Sequence, residues 1–262
     1  MPHRPADDAA IRVDDLSIAR SSRSGPLQRV VDGVTFTLAD GGVLAVMGPT
    51  GSGKSSLVAV LAGESGGGLA VVGGEAHVAG IRVRRPGRAH RQLTYYTGYL
   101  PQGAGAHLPA RLTVSEVIAQ PITSRDRRVN ARALEVRVAT LLDELMLPLG
   151  AAAKYPYELS AGMRQRVALA RALVLQPRIL IADDPFANLD VEVRRCAKDA
   201  VLRRRADLGM AALIVTNDRD VVDDLDADVM VMRGSHVVAY GRSVDDLLWT
   251  PSAGENRRLV AG

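Results

Sequence analysis

Gly48-Pro-Thr-Gly-Ser-Gly-Lys54-Ser55 narrows what this 262-residue chain can become more than any other segment. It fills the pattern G-x-x-x-x-G-K-[ST], and it stands between an apolar strand at 42–48 and a helical pattern from Ser55 to Ala62. That placement has a physical reason. Glycines let the backbone wrap closely round an anion, the amides and the helix N-terminus point at phosphate oxygens, and Lys54 can reach the β and γ phosphates. The Ser55 hydroxyl can ligate Mg²⁺. Gly48, Pro49, Thr50, Gly51, Ser52, Gly53, Lys54, Ser55 and Ser56 are therefore the candidate nucleotide-binding set, and ATP or GTP is the expected ligand.

The rest of the chain agrees with such a loop. Short runs rich in Val, Ile and Leu at 42–48, 178–183 and 211–216 alternate with helical patterns, as buried parallel strands do. Each ends in polar residues at its carboxyl end, where open α/β sheets place ligands. Asp183, at the tip of the second run, is a candidate Mg²⁺ carboxylate. Alternating residues at 11–18 and 34–38 predict an antiparallel section, and 229–232 with 237–240, joined through Gly234 and Ser235, predict a closing hairpin. Between about 91 and 165 the pattern becomes helical: Leu134, Val138, Leu141, Leu142 and Leu145 share one face after Asn130, an expected N-cap. The glycine-rich stretch 66–74 reads as a loop beside a strand.

Composition removes other classes. One cysteine, Cys196, excludes a disulfide framework and makes a metal site built on it improbable; a packing role is expected. No run approaches the 18 or so apolar residues that cross a bilayer, and the start MPHRPADDAA lacks the apolar core of an export signal, so a cytoplasmic chain is expected. The net charge of +4 is a weak pointer to an anionic partner. Lys54 is one of only three lysines, with Lys154 and Lys198; arginine supplies the other basic side chains.

Five motifs in order resemble those of the nucleotide-binding subunits of ABC transporters. Beyond the phosphate loop and Asp183, Leu159-Ser-Ala-Gly-Met-Arg-Gln-Arg166 is similar to the family's signature, preceding a helix expected at 167–175. Gln102, after a strand-like 93–100, resembles the Q-loop glutamine, and Ala187-Asn-Leu-Asp190 the D-loop. The resemblance implies an α/β P-loop NTPase (RecA-like) core with an antiparallel β section and an inserted helical subdomain. It implies one ABC ATPase domain over 1–262, with the core at about 11–90 and 166–245, the helical insertion at about 91–165 and a short tail at 246–262. It further implies ATP and Mg²⁺ as cofactors, with Ser55, Gln102 and Asp183 at the metal. The implied assembly is a head-to-tail dimer in which Ser160 and Gly162 contact the nucleotide across the interface, and Asp190 of the D-loop joins the implied nucleotide-binding set. A helix N-terminus with a hydroxyl and an open backbone amide suits that task. Ala161 replaces the family's usual first glycine.

Three positions depart from the family pattern. Asp184 stands where a catalytic glutamate is usual, Asn217 where a switch histidine is usual, and Arg20 about where an aromatic ring stacks on adenine. Asp184, Asn217 and Gln102 form the candidate catalytic set. Aspartate is one methylene short, and a displacement of roughly 1 Å can cost around a hundredfold in rate. Asparagine can donate a hydrogen bond but carries no positive charge. Slow hydrolysis at this chain's own phosphate loop is expected, and with it a heterodimer whose other subunit retains glutamate and histidine. Arg20 can stack its guanidinium on adenine or remain a solvated surface group.

Residues 30–38, 155–166 and 209–241 most resemble the peptide and nickel importer ATPases. The short tail is closer to the nickel or metal-chelate branch. Such a subunit is expected at the cytoplasmic face of the membrane, with transmembrane permease subunits, a second ATPase subunit and an extracytoplasmic binding protein as partners; 108–117 resembles the permease-docking region. A regulatory or nucleic-acid-linked ATPase is the alternative, the latter using basic clusters at 82–91 or 203–205. Nucleic acid is not the expected partner, because tandem cassettes, coiled coils and zinc modules are lacking.

Overall fold

Continuous apolar strands need cover on both faces, and three of them make the centre of the molecule. In a computed structural model that describes residues 9–21, 27–64, 66–83, 87–126 and 128–249, β3 (Val43–Met47), β7 (Ile179–Asp183) and β8 (Ala211–Val215) are buried along nearly their whole lengths. β8 pairs in parallel with both β3 and β7, which brings Val46 opposite Val215 and Asp183 opposite Val215. The carboxyl ends of three strands thus meet at one edge, and the phosphate loop, Asp183 and Asn217 follow from it.

Among the described residues this sheet has seven strands, with β3, β8 and β7 adjacent in that order. β6 (Thr97–Leu100), beside β7, and β9 (Asp228–Arg233), beside β3, continue it in parallel, while β10 (His236–Gly241), beside β9, and then β11 (Leu247–Trp249) extend it antiparallel to one edge. The hairpin at Gly234 and Ser235 falls where expected. The antiparallel section is a second sheet, order β2-β1-β4-β5, from β1 (Ala9–Arg20), β2 (Gln28–Ala39), β4 (Leu69–Val78) and β5 (Ile81–Arg82). Helix α1 (Lys54–Leu61) packs against both sheets, and Leu57, Val58 and Leu61 are fully buried between them.

A second core lies on the other face of the large sheet, beneath α3 (Val114–Thr123), α4 (Ala131–Glu144), α5 (Ala161–Leu173) and α6 (Val191–Leu208). Asn130 caps α4 as its position implies, accepting the Ala133 N–H at 3.0 Å, and Val138, Leu141, Leu142 and Leu145 are buried on one face with Leu134 partly so. Thr113 and Glu116 form a reciprocal capping box at the start of α3.

Several boundaries differ from expectation. Residues 93–96 end helix α2 (Arg88–Tyr96) instead of opening a strand, because Leu93 is that helix's one buried anchor and Thr97 closes it by donating to Leu93 O at 2.8 Å. Helix α5 starts at Ala161, not at 167, because Ser160 caps it: the signature residues are the first turn of the helix itself. From Leu69 onward the glycine-rich stretch is strand β4, with Gly73 and Gly74 beside the register shift between Asp14 and Ser17 of β1. Of the tail, 247–249 is β11; residues 250–262, the extreme amino terminus 1–8, and Arg84 and Arg85 of the basic cluster lie outside the described residues. Among the described residues no helix is long and apolar enough to cross a membrane.

The arginines at 203–205 have internal work. Arg204 holds Glu144 through two bonds of 2.6 and 2.7 Å, Arg203 joins at 3.1 Å, and Arg205 donates to Gly41 O and Leu225 O. This ties α4 to α6. Arg82 pairs with Glu75 at 3.2 Å. Cys196 is a half-buried free thiol on α6.

Candidate nucleotide-binding site

The loop from Gly48 to Gly53 leaves β3 at the polar edge and turns into α1. Its backbone is possible only with glycine at two places. Gly48 has φ 136° and a Cβ there would lie 2.0 Å from Met232 O; Gly53 has φ 100° and a Cβ would lie 2.1 Å from Val30 O. Neighbouring backbone presses the loop into shape at both ends. Gly51, with φ 82°, has open space around it. Gly53→Ala is therefore expected to cost about 2–3 kcal/mol, against about 1 kcal/mol for Gly51→Ala, a difference readable as several degrees in melting temperature.

Lys54 is buried, and its ammonium donates to Gly48 O at 2.7 Å, Pro49 O at 2.8 Å and Ser52 Oγ at 3.3 Å. Burial lowers its pKa from the ordinary lysine value, and the nearby Asp183 carboxylate opposes that shift. Asp183 is 3% exposed at the end of β7. Burial raises its pKa; a hydrogen bond from the Ser55 hydroxyl opposes this, Asp184 adds to it and Lys54 opposes it. A buried carboxylate bonded to the serine that follows the lysine is the pairing expected of a site for Mg²⁺ and phosphate.

Around this pair lies a cavity of about 290 Å³ lined by Arg20, Val30, residues 50–56, Gln102, Asp183, Asp184, Thr216 and Asn217. The fold thus gathers the phosphate loop, Gln102 and all three departing positions into one pocket. Arg20, at the end of β1, donates through Nη2 to Ser56 Oγ at 3.1 Å, so it is neither wholly solvated nor free to swing. Asn217 accepts the Gly48 N–H on Oδ1 at 2.9 Å, which turns its amide NH₂ away from that bond and makes it available as a donor. Asp184 is exposed at the rim with φ 52°, a left-handed backbone that Asp and Asn tolerate better than most residues. Partial burial raises its pKa, Asp218 adds to the rise and Arg194 opposes it.

Ser160, Gly162 and Asp190 lie outside this pocket. Ser160 caps α5, accepting the Met163 N–H at 3.2 Å, and remains exposed. The position of a Cβ on Gly162 would be 3.2 Å from Asn188 O, so the signature turn rests on the turn after β7. Asp190 accepts the Val193 N–H at 3.0 Å and caps α6, a structural use of the carboxylate expected at the nucleotide. Three further residues matter locally: Gln165, which lies inside the signature match but whose contacts nothing in the sequence announced, and Arg194 and Asp218, which no motif singled out. Gln165, 6% exposed, donates to Pro185 O at 3.1 Å and accepts from Gly105 N at 3.4 Å, joining α5, the segment after β7 and the segment after Gln102. Arg194 and Asp218 form an ion pair of 2.8 Å beside Asp184. Their partners are far apart in sequence, so no local pattern announces them.

The oxygen donors here, a serine hydroxyl, a buried carboxylate and a glutamine amide, suit a hard cation such as Mg²⁺. Among the described residues no group of three or more His, Cys, Asp or Glu could hold a metal by itself. Such a pocket fits a cation that shares its ligands with phosphates and water, not one caged by protein.

A phosphate loop between a parallel strand and a helix, with a buried carboxylate at the tip of a nearby strand, defines a P-loop nucleotide-binding protein. The ABC transporter family profile matches residues 31–187, more than half the chain, and the protein belongs to the ABC transporter family as an ATP-binding domain. It is 32% identical to the peptidoglycan transport ATP-binding protein YejF of Agrobacterium fabrum, over 99% of this chain and 48% of that protein. It is 35% identical to the oligopeptide transport ATP-binding protein OppD of Mycobacterium tuberculosis, over 88% of this chain and 37% of that one. The chain thus spans half or less of these two relatives. A dimeric bacterial ABC transporter cassette shares the fold, with TM-score 0.79 and 22% identity over 87% of this chain and 96% of that one. ATP binding and ATP hydrolysis are accordingly the properties of the family to which the chain belongs.

Proposed function

We propose that this chain is one ABC ATPase domain, with the core, helical insertion and tail divided as the motifs imply, that energises translocation through separate membrane subunits. The sequence resemblance points to an importer of the peptide, nickel or metal-chelate type, and the name of one relative, an oligopeptide transport ATP-binding protein, agrees with the peptide branch. Ser55, Gln102 and Asp183 would hold Mg²⁺, which neutralises charge on the phosphates when bound. The phosphate loop binds ATP, and Lys54 meets its β and γ phosphates. Its own site hydrolyses slowly. Ser160 and Gly162 complete a competent site on a second, different ATPase subunit.

The observation that carries the slow-site reading is the Asn217 contact. Its side-chain oxygen is committed to Gly48 N–H, leaving a neutral NH₂ as the one group it can offer phosphate, and Asp184 beside it is too short to match a glutamate's reach. Both alterations bear on one transition state. The permease assignment is supported by a cleft of about 700 Å³ lined by Tyr99, Leu108, Gln120, Arg171 and neighbours, in which Leu108 opens the stretch 108–117 that leads into α3. Peripheral attachment to the cytoplasmic membrane face follows from that reading, and so does an extracytoplasmic binding protein in the full system.

The test is restoration. Asp184→Glu with Asn217→His should raise the ATPase rate of the purified chain by far more than either change alone, about tenfold or beyond, because the two groups act on one transition state. The left-handed backbone at 184 costs a glutamate about 1–2 kcal/mol of folding stability, which a melting curve registers separately from the rate. A brisk wild-type rate that the double substitution leaves unchanged would refute the slow site.

A further inference from the structure

Arg194 lies in the first turn of α6, and its contacts reach in two directions. Its Nη1 donates to Asp218 Oδ2 at 2.8 Å and its Nη2 to Leu189 O at 3.5 Å, while Nε is buried without a partner. A guanidinium two-thirds buried with an unmatched N–H is poor evidence for a stabilising device, and is better explained by the geometry it imposes.

Asp218 is held from several sides. Its Oδ1 accepts the Asp220 N–H and caps α7 (Arg219–Asp224), its Oδ2 takes Arg194, and its own N–H donates to Thr216 Oγ1 at 3.0 Å. The residue between Thr216 and Asp218 is Asn217, whose Oδ1 sits on Gly48 N–H. At the other end, Leu189 follows Asn188, whose carbonyl lies under Gly162. One side chain therefore links the segment facing the phosphate loop to the turn beneath the signature helix.

We infer that Arg194 is a positioning residue: through Asp218 it sets Asn217 where the amide NH₂ meets the γ phosphate of bound ATP, and it couples that setting to the turn under Gly162. This rests on the reading that 48–56 is the ATP site. A residue of this kind acts on the γ phosphate alone, so it separates ATP from ADP, which a merely structural residue does not.

The experiment is calorimetry of the purified chain with a non-hydrolysable ATP analogue and with ADP, both in Mg²⁺. Asp218→Asn removes the ion pair yet keeps the cap, since asparagine caps helices as well as aspartate. Arg194→Met and Asp218→Asn should each weaken the ATP analogue about tenfold, the worth of one hydrogen bond to a charged group, and change ADP by less than about twofold. The double variant should be no worse than the poorer single one, and Arg194→Met should add nothing to Asn217→Ala. Equal weakening of ATP analogue and ADP, or losses that simply add, would overturn the inference. Lys54→Ala is the control: retained binding there defeats the ATP-site reading itself, whereas lost binding there with an unaffected Arg194→Met defeats only the role of Arg194.

Discussion

Lys54→Ala abolishes tight Mg-ATP binding, with affinity reduced by at least about a hundredfold. The ammonium is centred over the loop by three oxygens at 2.7 to 3.3 Å, buried, and within the field of Asp183. Phosphate oxygens entering this loop meet a cation already in position, and a charged hydrogen bond in such surroundings is worth about 2–3 kcal/mol or more. Alanine at the first position of α1 is a good helix former, so the helix survives the exchange. Asp184→Asn, at the rim and equally at ease in a left-handed backbone, should leave affinity within about threefold. Calorimetry on both variants decides the matter: wild-type affinity in Lys54→Ala would mean that the loop is not the ATP site.

In a complex reconstituted with both ATPase subunits and the permeases, Ser160→Arg removes most ATPase and transport activity, whereas Asp184→Asn changes them modestly. Ser160 is exposed at the tip of α5 and outside this chain's own pocket, so whatever phosphate it serves belongs to a neighbour. An arginine there places a long side chain where two subunits would close on ATP. Loss of the cap costs about 1 kcal/mol, too little to unfold the chain, and a melting curve would verify that. Asp184, in contrast, serves the pocket for which slow turnover is proposed. The reverse ranking, with Asp184→Asn abolishing activity and Ser160→Arg mild, would place the working site on this chain's own loop and end the heterodimer reading.

The phosphate loop, the parallel strands and the closing hairpin could be read from the chain because each is encoded locally. Glycine where backbone crowds the loop, unbroken Val, Ile and Leu where strands are covered on both faces, and a Gly-Ser turn between two apolar runs act over a few residues. Boundaries were less legible where one side chain settled them: Ser160 draws α5 six residues further forward, and Leu93 converts half of an expected strand into the end of α2.

What the tertiary structure alone decided is how the departing residues are used. Arg20 finds Ser56 across 36 positions, Asn217 finds Gly48 across 169, Arg204 finds Glu144 across 60 and Arg194 finds Asp218 across 24. The sequence named Asp184 and Asn217 as unusual; only the sheet order, which sets β3 beside β8 and β8 beside β7, brings them to one pocket and spends the asparagine oxygen on the loop's own amide. Asp190 shows the converse, a motif residue whose carboxylate closes the end of α6. Propensity and periodicity report which backbone a short segment prefers. A polar side chain's partner is fixed by long-range packing, since a donor buried at a sheet edge takes whichever acceptor the neighbouring strands bring within about 3 Å.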